Sequence, residues 1–213
     1  MSYTDEEQIE ALRAWWRENG RAIIAGVVIA IVALIGWQQW DAYKQRRAEL
    51  ASQDYQAFRS RLLADPPAAD AVALGEALLE QYGSTPYGPL TALLLAQHHV
   101  ENGELEQAAE RLRWAAERAK RQPVGALATL RLARVLGAQQ KYEEALEVLQ
   151  SVPEVLAADY QEVRGDLLSE AGRREDAIAA YRAALEDPAL APQRRALIEL
   201  KLNDLGASAE PTA

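Results

Sequence analysis

A long run of uncharged residues near the N-terminus limits the folds open to this chain more than any other feature. Residues 22–40 contain no Asp, Glu, Lys or Arg, and the first 16 of these 19 residues are all apolar or glycine. As an α-helix they would extend about 28 Å, close to the hydrocarbon thickness of a bilayer. Nine of them are Ile, Val or Leu, which favours insertion by about 3 to 5 kcal/mol. The pattern predicts a single transmembrane helix over residues 22–40.

Aromatic residues flank the predicted span on both sides. Trp15 and Trp16 precede it, and Trp37, Trp40 and Tyr43 lie at its end. Because such side chains favour the headgroup layers, we expect these five to mark the two membrane interfaces. The alternatives are a cleaved signal peptide and a buried helix of a soluble core. Five acidic residues before the span argue against the first, and the length of the apolar run argues against the second.

Small residues recur at every fourth position within the span. Ala22, Gly26 and Ala30 would share one helix face, where a neighbouring transmembrane helix could approach closely. The alternative is that small residues are simply common in such segments. Three basic residues precede the span and three follow it closely, so the positive-inside rule does not determine the orientation.

The segments on either side of the span are also predicted to be helical. Residues 1–21 carry Ile9, Leu12 and Trp16 at helical spacing, which predicts an amphipathic segment on the membrane surface. After the span, apolar residues keep a loose helical period until Pro66 and Pro67, which should end the helix. We therefore expect a juxtamembrane helical stalk over residues 41–69.

A helical repeat fills residues 70–203. Three anchor residues, Ala108, Ala145 and Ala177, are 37 and 32 residues apart. A small residue precedes each anchor by 12 positions, and apolar residues follow it by 4 and 7 positions, as paired helices in contact require. The pattern resembles the tetratricopeptide repeat (TPR), a helical hairpin of about 34 residues. In repeat order the aligned residues are Ala96, Ala133 and Gly165, then Leu112, Leu149 and Tyr181, then Ala115, Val152 and Ala184.

The ends and turns of the repeats complete the predicted fold. Gly103 and Gly172 fall in the turns between paired helices, whereas Gln140 takes this place in the second repeat. Helices over residues 70–82 and 191–202 would cap the two ends. The predicted fold is all-α: an N-terminal single transmembrane helix, then a TPR-like α-solenoid of about three repeats with capping helices. Residues 204–213 are expected to form a flexible tail. Generic antiparallel helices are the alternative.

Composition argues against several classes of function. The net charge is −9 with no cluster of Lys and Arg, which argues against nucleic acid as a partner. The chain has no Cys, and its two histidines, His98 and His99, are adjacent and would point to different faces of a helix. No metal site, cofactor site, nucleophile motif or phosphate-binding loop is recognisable. We expect a protein that is not an enzyme.

The N-terminal sequence resembles the YfgM family. The resemblance is carried by two runs before the span and one at its C-terminal end: residues 3–12, Trp15-Trp16-Arg17-Glu18-Asn19-Gly20, and Gly36-Trp37-Gln38-Gln39-Trp40. It covers the whole chain and is strongest over residues 3–43. That family is the ancillary subunit of the bacterial SecYEG translocon, a single-span inner-membrane protein with a periplasmic TPR domain.

This resemblance implies a topology and a set of partners. The N-terminus would be cytoplasmic and the C-terminal domain periplasmic, in the bacterial inner membrane. The implied partners are the SecYEG translocon, the membrane-anchored periplasmic chaperone PpiD, and exported polypeptides passed on to periplasmic chaperones. The residues themselves leave open a cytoplasm-facing, membrane-tethered TPR scaffold for envelope assembly.

The repeat also predicts a protein-binding groove. The first helices of successive TPR hairpins line a concave surface that can hold a peptide or a partner helix. The repeat phase places six residues there: Leu93, Gln97, Leu130, Arg134, Glu162 and Asp166. An apolar end beside an acidic end would suit extended, unfolded or basic segments. The alternative is that Leu93 and Leu130 belong to the core.

Overall fold

The computed structural model describes residues 5–151 and 156–208, without the side chains of residues 5–8 and 11. Val152 and the last five residues of the expected tail therefore lie outside the described part. The described residues form nine α-helices and no β-strand, in agreement with the predicted all-α class. The helices are α1 (Asp5–Leu62), α2 (Ala71–Tyr82), α3 (Tyr87–Glu101), α4 (Leu105–Arg118), α5 (Pro123–Ala138), α6 (Tyr142–Val148), α7 (Ala157–Glu170), α8 (Arg174–Leu185) and α9 (Pro192–Asp204).

The chain divides into two compact units, Met1–Leu50 and Ala51–Ala213. The first unit consists of the long N-terminal part of α1. Among the described helices, α1 alone has the length and apolar character needed to cross a membrane. Its large apolar side chains from Ile24 to Trp40 are at least half exposed, for example Ile29 and Val32. A water-soluble core would bury such residues, whereas a lipid-facing helix exposes them.

The five aromatic residues that were predicted to mark the membrane interfaces all lie on α1, and their side chains are exposed. Trp15, Trp16, Trp37, Trp40 and Tyr43 are each at least half exposed, and the rings of Trp40 and Tyr43 lie 6.0 Å apart. Ala22, Gly26 and Ala30 are also exposed. No neighbouring group lies within 4 Å of a side-chain carbon built on Gly26, so this helix face has room for a partner.

The second unit begins inside α1, earlier than the expected domain start at residue 70. Ala51, Phe58 and Leu62 are buried in the same core as α2 and α3. A methyl group on Gly75 of α2 would come within 2.6 Å of the Phe58 ring, so this glycine permits a close helix contact. The stalk is predicted over residues 41–69. From Ala51 onward it is part of the packed domain, because its regularly spaced apolar residues form a stripe that faces the core.

Three helical hairpins, α3 with α4, α5 with α6 and α7 with α8, follow the predicted repeats. The anchors Ala108, Ala145 and Ala177 are completely buried. A methyl group on Gly165 would lie 2.5 Å from the Tyr181 ring, which explains the small residue predicted on the first helix of this pair. The repeat therefore places small side chains where paired helices approach most closely.

The turns between paired helices share one backbone conformation. Gly103 and Gly172 each have a φ of 75°, and Gln140 has a φ of 60° at the equivalent turn. This left-handed conformation favours glycine, so the second hairpin keeps its turn despite the substitution by Gln140. After the last hairpin, α9 packs on α8 and buries Ile198 and Leu202 against it, as expected for a capping helix.

Candidate functional site

The first helices of the three hairpins lie side by side, as the predicted groove requires. α3 contacts α5, and α5 contacts α7. The Tyr160 hydroxyl of α7 donates a hydrogen bond to the carbonyl oxygen of Ala126 in α5 at 3.1 Å. A side-chain carbon on Gly137 would lie 2.5 Å from a methyl group of Leu167. These contacts hold α5 and α7 close together.

Two of the six predicted groove residues are part of the core. Leu93 is 6% exposed and Leu130 is 2% exposed, and both belong to the large apolar cluster of the domain. Side chains this deeply buried pack neighbouring helices and are not available to a ligand. The prediction of an apolar groove at these two positions is therefore corrected.

Gln97 and Arg134 are exposed, at equivalent positions of α3 and α5. The amide nitrogen of Gln97 donates a hydrogen bond to Glu101 at 2.9 Å. Leu90 and Leu127, which the sequence analysis did not single out, stand seven residues before them and are 36% and 37% exposed. We call the resulting surface the α3–α5 face; its exposed members are Leu90, Gln97, Leu127 and Arg134, and its partly buried members are Leu94 and Arg131.

The acidic end of the predicted groove is covered by α9. Glu162 is 6% exposed and accepts hydrogen bonds from Arg194 and, at 2.9 Å, from the Nζ of Lys201. Lys201 also lies 2.7 Å from Asp166, and Arg194 lies 2.7 Å from Asp159. We call these five residues the ionic seam. The repeat phase identifies Glu162 and Asp166 but not Asp159. It contains no signal for the cations, which lie on α9 beyond the repeats.

The electrostatics of the ionic seam favour the charged forms of Glu162, Arg194 and Lys201. Burial raises the pKa of Glu162, but hydrogen bonds from Arg194 and Lys201 outweigh this effect, so the pKa is lowered. Burial also lowers the pKa of Lys201, yet hydrogen bonds to Asp166 and Glu162 raise it overall. The pKa of Tyr181 is raised by burial and by the hydrogen bond that its hydroxyl donates to Asp166 at 2.7 Å. The acids and cations are thus matched to one another.

The charged side chains of the ionic seam pair with one another. The seam carboxylates are occupied by cations of the same chain, which is a structural use of charge. His99 is buried, with its Nδ1 2.6 Å from Glu104, and the centre of the His98 ring lies 6.1 Å from that of His99. Within residues 5–151 and 156–208, no group of three or more potential metal ligands comes together.

Comparison with known proteins gives a consistent set of relatives. A family model described as a tetratricopeptide repeat-like domain matches residues 13–207. The ancillary SecYEG translocon subunit of Escherichia coli (strain K12) is 31% identical over 202 residues, covering 94% of this chain and 96% of that protein. The protein of the same name from Aggregatibacter actinomycetemcomitans is 30% identical, covering 96% and 100%. The one from Neisseria gonorrhoeae is 23% identical, covering 94% and 97%.

Proposed function

Because this chain belongs to the family of ancillary SecYEG translocon subunits, we propose that it is a membrane-anchored TPR adaptor of the Sec translocon. The observation that carries this proposal is the joining, in one chain, of a helix able to span a membrane with a TPR-like domain. The match to the relatives extends over nearly the full length of both proteins, so it includes the membrane segment and the repeats together. The adaptor does no chemistry; it positions other proteins.

The proposed location is the bacterial inner membrane, with a cytoplasmic N-terminus and the TPR-like domain in the periplasm. There the domain would meet exported polypeptides and a membrane-anchored periplasmic chaperone of the PpiD type, linking export to folding. The exposed α3–α5 face supports this role, because it leaves apolar and charged side chains accessible for protein contacts.

The orientation is tested by fusing a reporter that is active only in the periplasm to the C-terminus. Activity in intact cells supports the proposed topology. A silent fusion, together with activity of a cytoplasm-only reporter at the same place, would instead support the cytoplasm-facing scaffold for envelope assembly.

The partners are tested by photo-crosslinking in intact membranes. A photoreactive residue at Gln97 or Arg134 lies on the α3–α5 face, whereas one at Glu110 lies on an exposed part of α4 and serves as control. We expect Gln97 and Arg134 to capture translocon subunits, the chaperone or exported chains. The proposal fails if all three positions give the same products.

The membrane helix is tested separately through its small-residue face. Gly26→Leu fills the open space on this face and should reduce co-purification of the translocon, because a bulky side chain keeps a neighbouring helix away. Gly36→Leu, also in open space, is the matched control. Equal recovery of the translocon with both variants would remove Ala22, Gly26 and Ala30 from the proposed contact.

A further inference from the structure

We propose that the α3–α5 face binds an acidic segment that also carries apolar side chains, provided by a partner protein. This inference rests on the proposed adaptor function and names the chemistry of the ligand. It reverses the charge expected from the sequence, where Glu162 and Asp166 suggested a preference for basic segments.

The α3–α5 face has an apolar end and a polar end. Leu90 and Leu127 occupy the same repeat position on neighbouring helices and are both more than one third exposed. Gln97 and Arg134 stand seven residues further along, two helical turns or about 10 Å away. The face therefore offers two leucines at one end and polar groups at the other, over a length that suits a short segment of a partner.

The charge on the α3–α5 face comes from two arginines. In the described part of the chain, Arg131 and Arg134 take part in no hydrogen bond or ion pair. Several other cations of the domain are matched, for example Arg113 with Glu144 at 2.6 Å and Lys141 with Glu106 at 2.9 Å. The two arginines are thus available to a carboxylate from outside.

The acidic residues near the α3–α5 face accept hydrogen bonds from side chains of the same chain. Glu101 is bound by Gln97, and Asp166 is bound by Tyr181 and Lys201. Glu162 is buried and matched by two cations. The two acids predicted to attract a basic ligand, Glu162 and Asp166, are therefore already engaged, and the charged members of the α3–α5 face, Arg131 and Arg134, are both positive.

The experiment compares two fluorescent peptides of equal length with leucines at the same positions, one carrying aspartates and the other lysines. Their affinity for the full-length protein in detergent micelles is measured by fluorescence anisotropy at low salt. The net charge of −9 favours the lysine peptide non-specifically. Tighter binding of the aspartate peptide would therefore have to come from a local cationic surface.

Three variants locate the binding. Arg131→Glu and Arg134→Glu should each weaken binding of the aspartate peptide by about fivefold or more, because each reverses a charge that would contact the peptide. Arg134 is exposed and Arg131 is partly exposed. Arg121→Glu makes the same change at an exposed arginine between α4 and α5 and should leave the affinity unchanged. Leu127→Ser should weaken both peptides while leaving the helical circular dichroism signal intact.

Several outcomes would overturn the inference: tighter binding of the lysine peptide, no binding of either peptide, or equal effects of Arg134→Glu and Arg121→Glu. Failure here is distinguishable from failure of the adaptor function. If crosslinks from Gln97 to translocon partners persist in the Arg131→Glu and Arg134→Glu variants, the adaptor function stands and only the acidic ligand is lost.

Discussion

The first helices of the solenoid are joined by two chemically different contacts at the same repeat position. Between α5 and α7, Leu130 is buried in one apolar cluster with Val163 and Leu167; we call this the apolar seam. Between α7 and α9, the equivalent residue is Glu162, held by Arg194 and Lys201. The repeat thus fixes where a side chain lies but not its chemistry. A charged residue is accepted where every charge has a partner.

The largest effect is expected when the two chemistries are exchanged. Leu130→Glu would bury a carboxylate in the apolar seam at a position that is 2% exposed, and should cost about 4 kcal/mol or more in the free energy of unfolding. Leu127→Glu makes the same change at an exposed position of α5 and should cost less than about 1 kcal/mol. Urea unfolding of the full-length protein in detergent, followed by circular dichroism, measures both. If Leu130→Glu and Leu127→Glu lost equal free energy of unfolding, Leu130 would not lie in a contact that excludes water.

A smaller effect is expected when the ionic seam loses a charge. Glu162→Gln and Lys201→Met should each cost about 1 to 3 kcal/mol, less than for a fully buried pair because Lys201 is partly exposed. The double variant should lose less than the sum, with a coupling energy of about 0.5 to 2 kcal/mol.

The control for this cycle is the exposed pair formed by Glu106 and Lys141 at 2.9 Å. Its coupling energy should stay below about 1 kcal/mol. A coupling in the ionic seam no larger than in this surface pair would remove the difference between the seam and an ordinary surface contact.

The two seams should also differ in their dependence on pH. The pKa of Glu162 is lowered in the folded protein, so its contribution is complete above the ordinary glutamate range of about 4 to 5 and is lost as the pH falls through the folded pKa. The pKa of Lys201 is raised, so its contribution is complete below about 10 and is lost as the pH rises through the folded pKa.

The difference in melting temperature between the wild type and Glu162→Gln should therefore be constant near neutral pH and shrink at both extremes. The corresponding difference for Leu130→Ala should not follow this profile, since no charge is involved. A Glu162→Gln difference that persists unchanged at pH 3 would contradict the assignment.

The smallest expected effect is that of salt. Raising sodium chloride to about 1 M should reduce the Glu162–Lys201 coupling energy by a few tenths of a kcal/mol, because the partly exposed lysine is screened. The stability loss caused by Leu130→Ala should not decrease. A double-variant cycle at low and high salt measures the change.

The hairpins were predictable because their signals are local and repeated. Ala108, Ala145 and Ala177 are each completely buried, as the alignment of the repeats requires. Gln140 was a departure from the pattern, yet it adopts the left-handed turn of the two glycines. Packing of the flanking helices imposes this conformation despite the lower preference of glutamine for it.

The chemistry of the predicted groove could not be predicted in the same way. Helical phase placed Leu130 and Glu162 at equivalent positions, but it could not say which helix would cover each of them. The cations that bind Glu162 lie 32 and 39 residues later in the chain, outside any repeat. Long-range charge pairing leaves no periodic signal, so an acidic groove was expected where the structure has an internal ion-pair network.

The ionic seam also affects how the protein is made. α9 follows the three hairpins in the chain and is synthesised after them, so the hairpins exist for a time without it. During that interval the side of α7 that α9 will cover presents Asp159, Glu162 and Asp166. Water solvates these carboxylates well. A leucine there would expose apolar surface to other nascent chains. Because α9 covers α7 through ion pairs and not through an apolar contact, this surface of α7 is protected from aggregation until α9 has been synthesised.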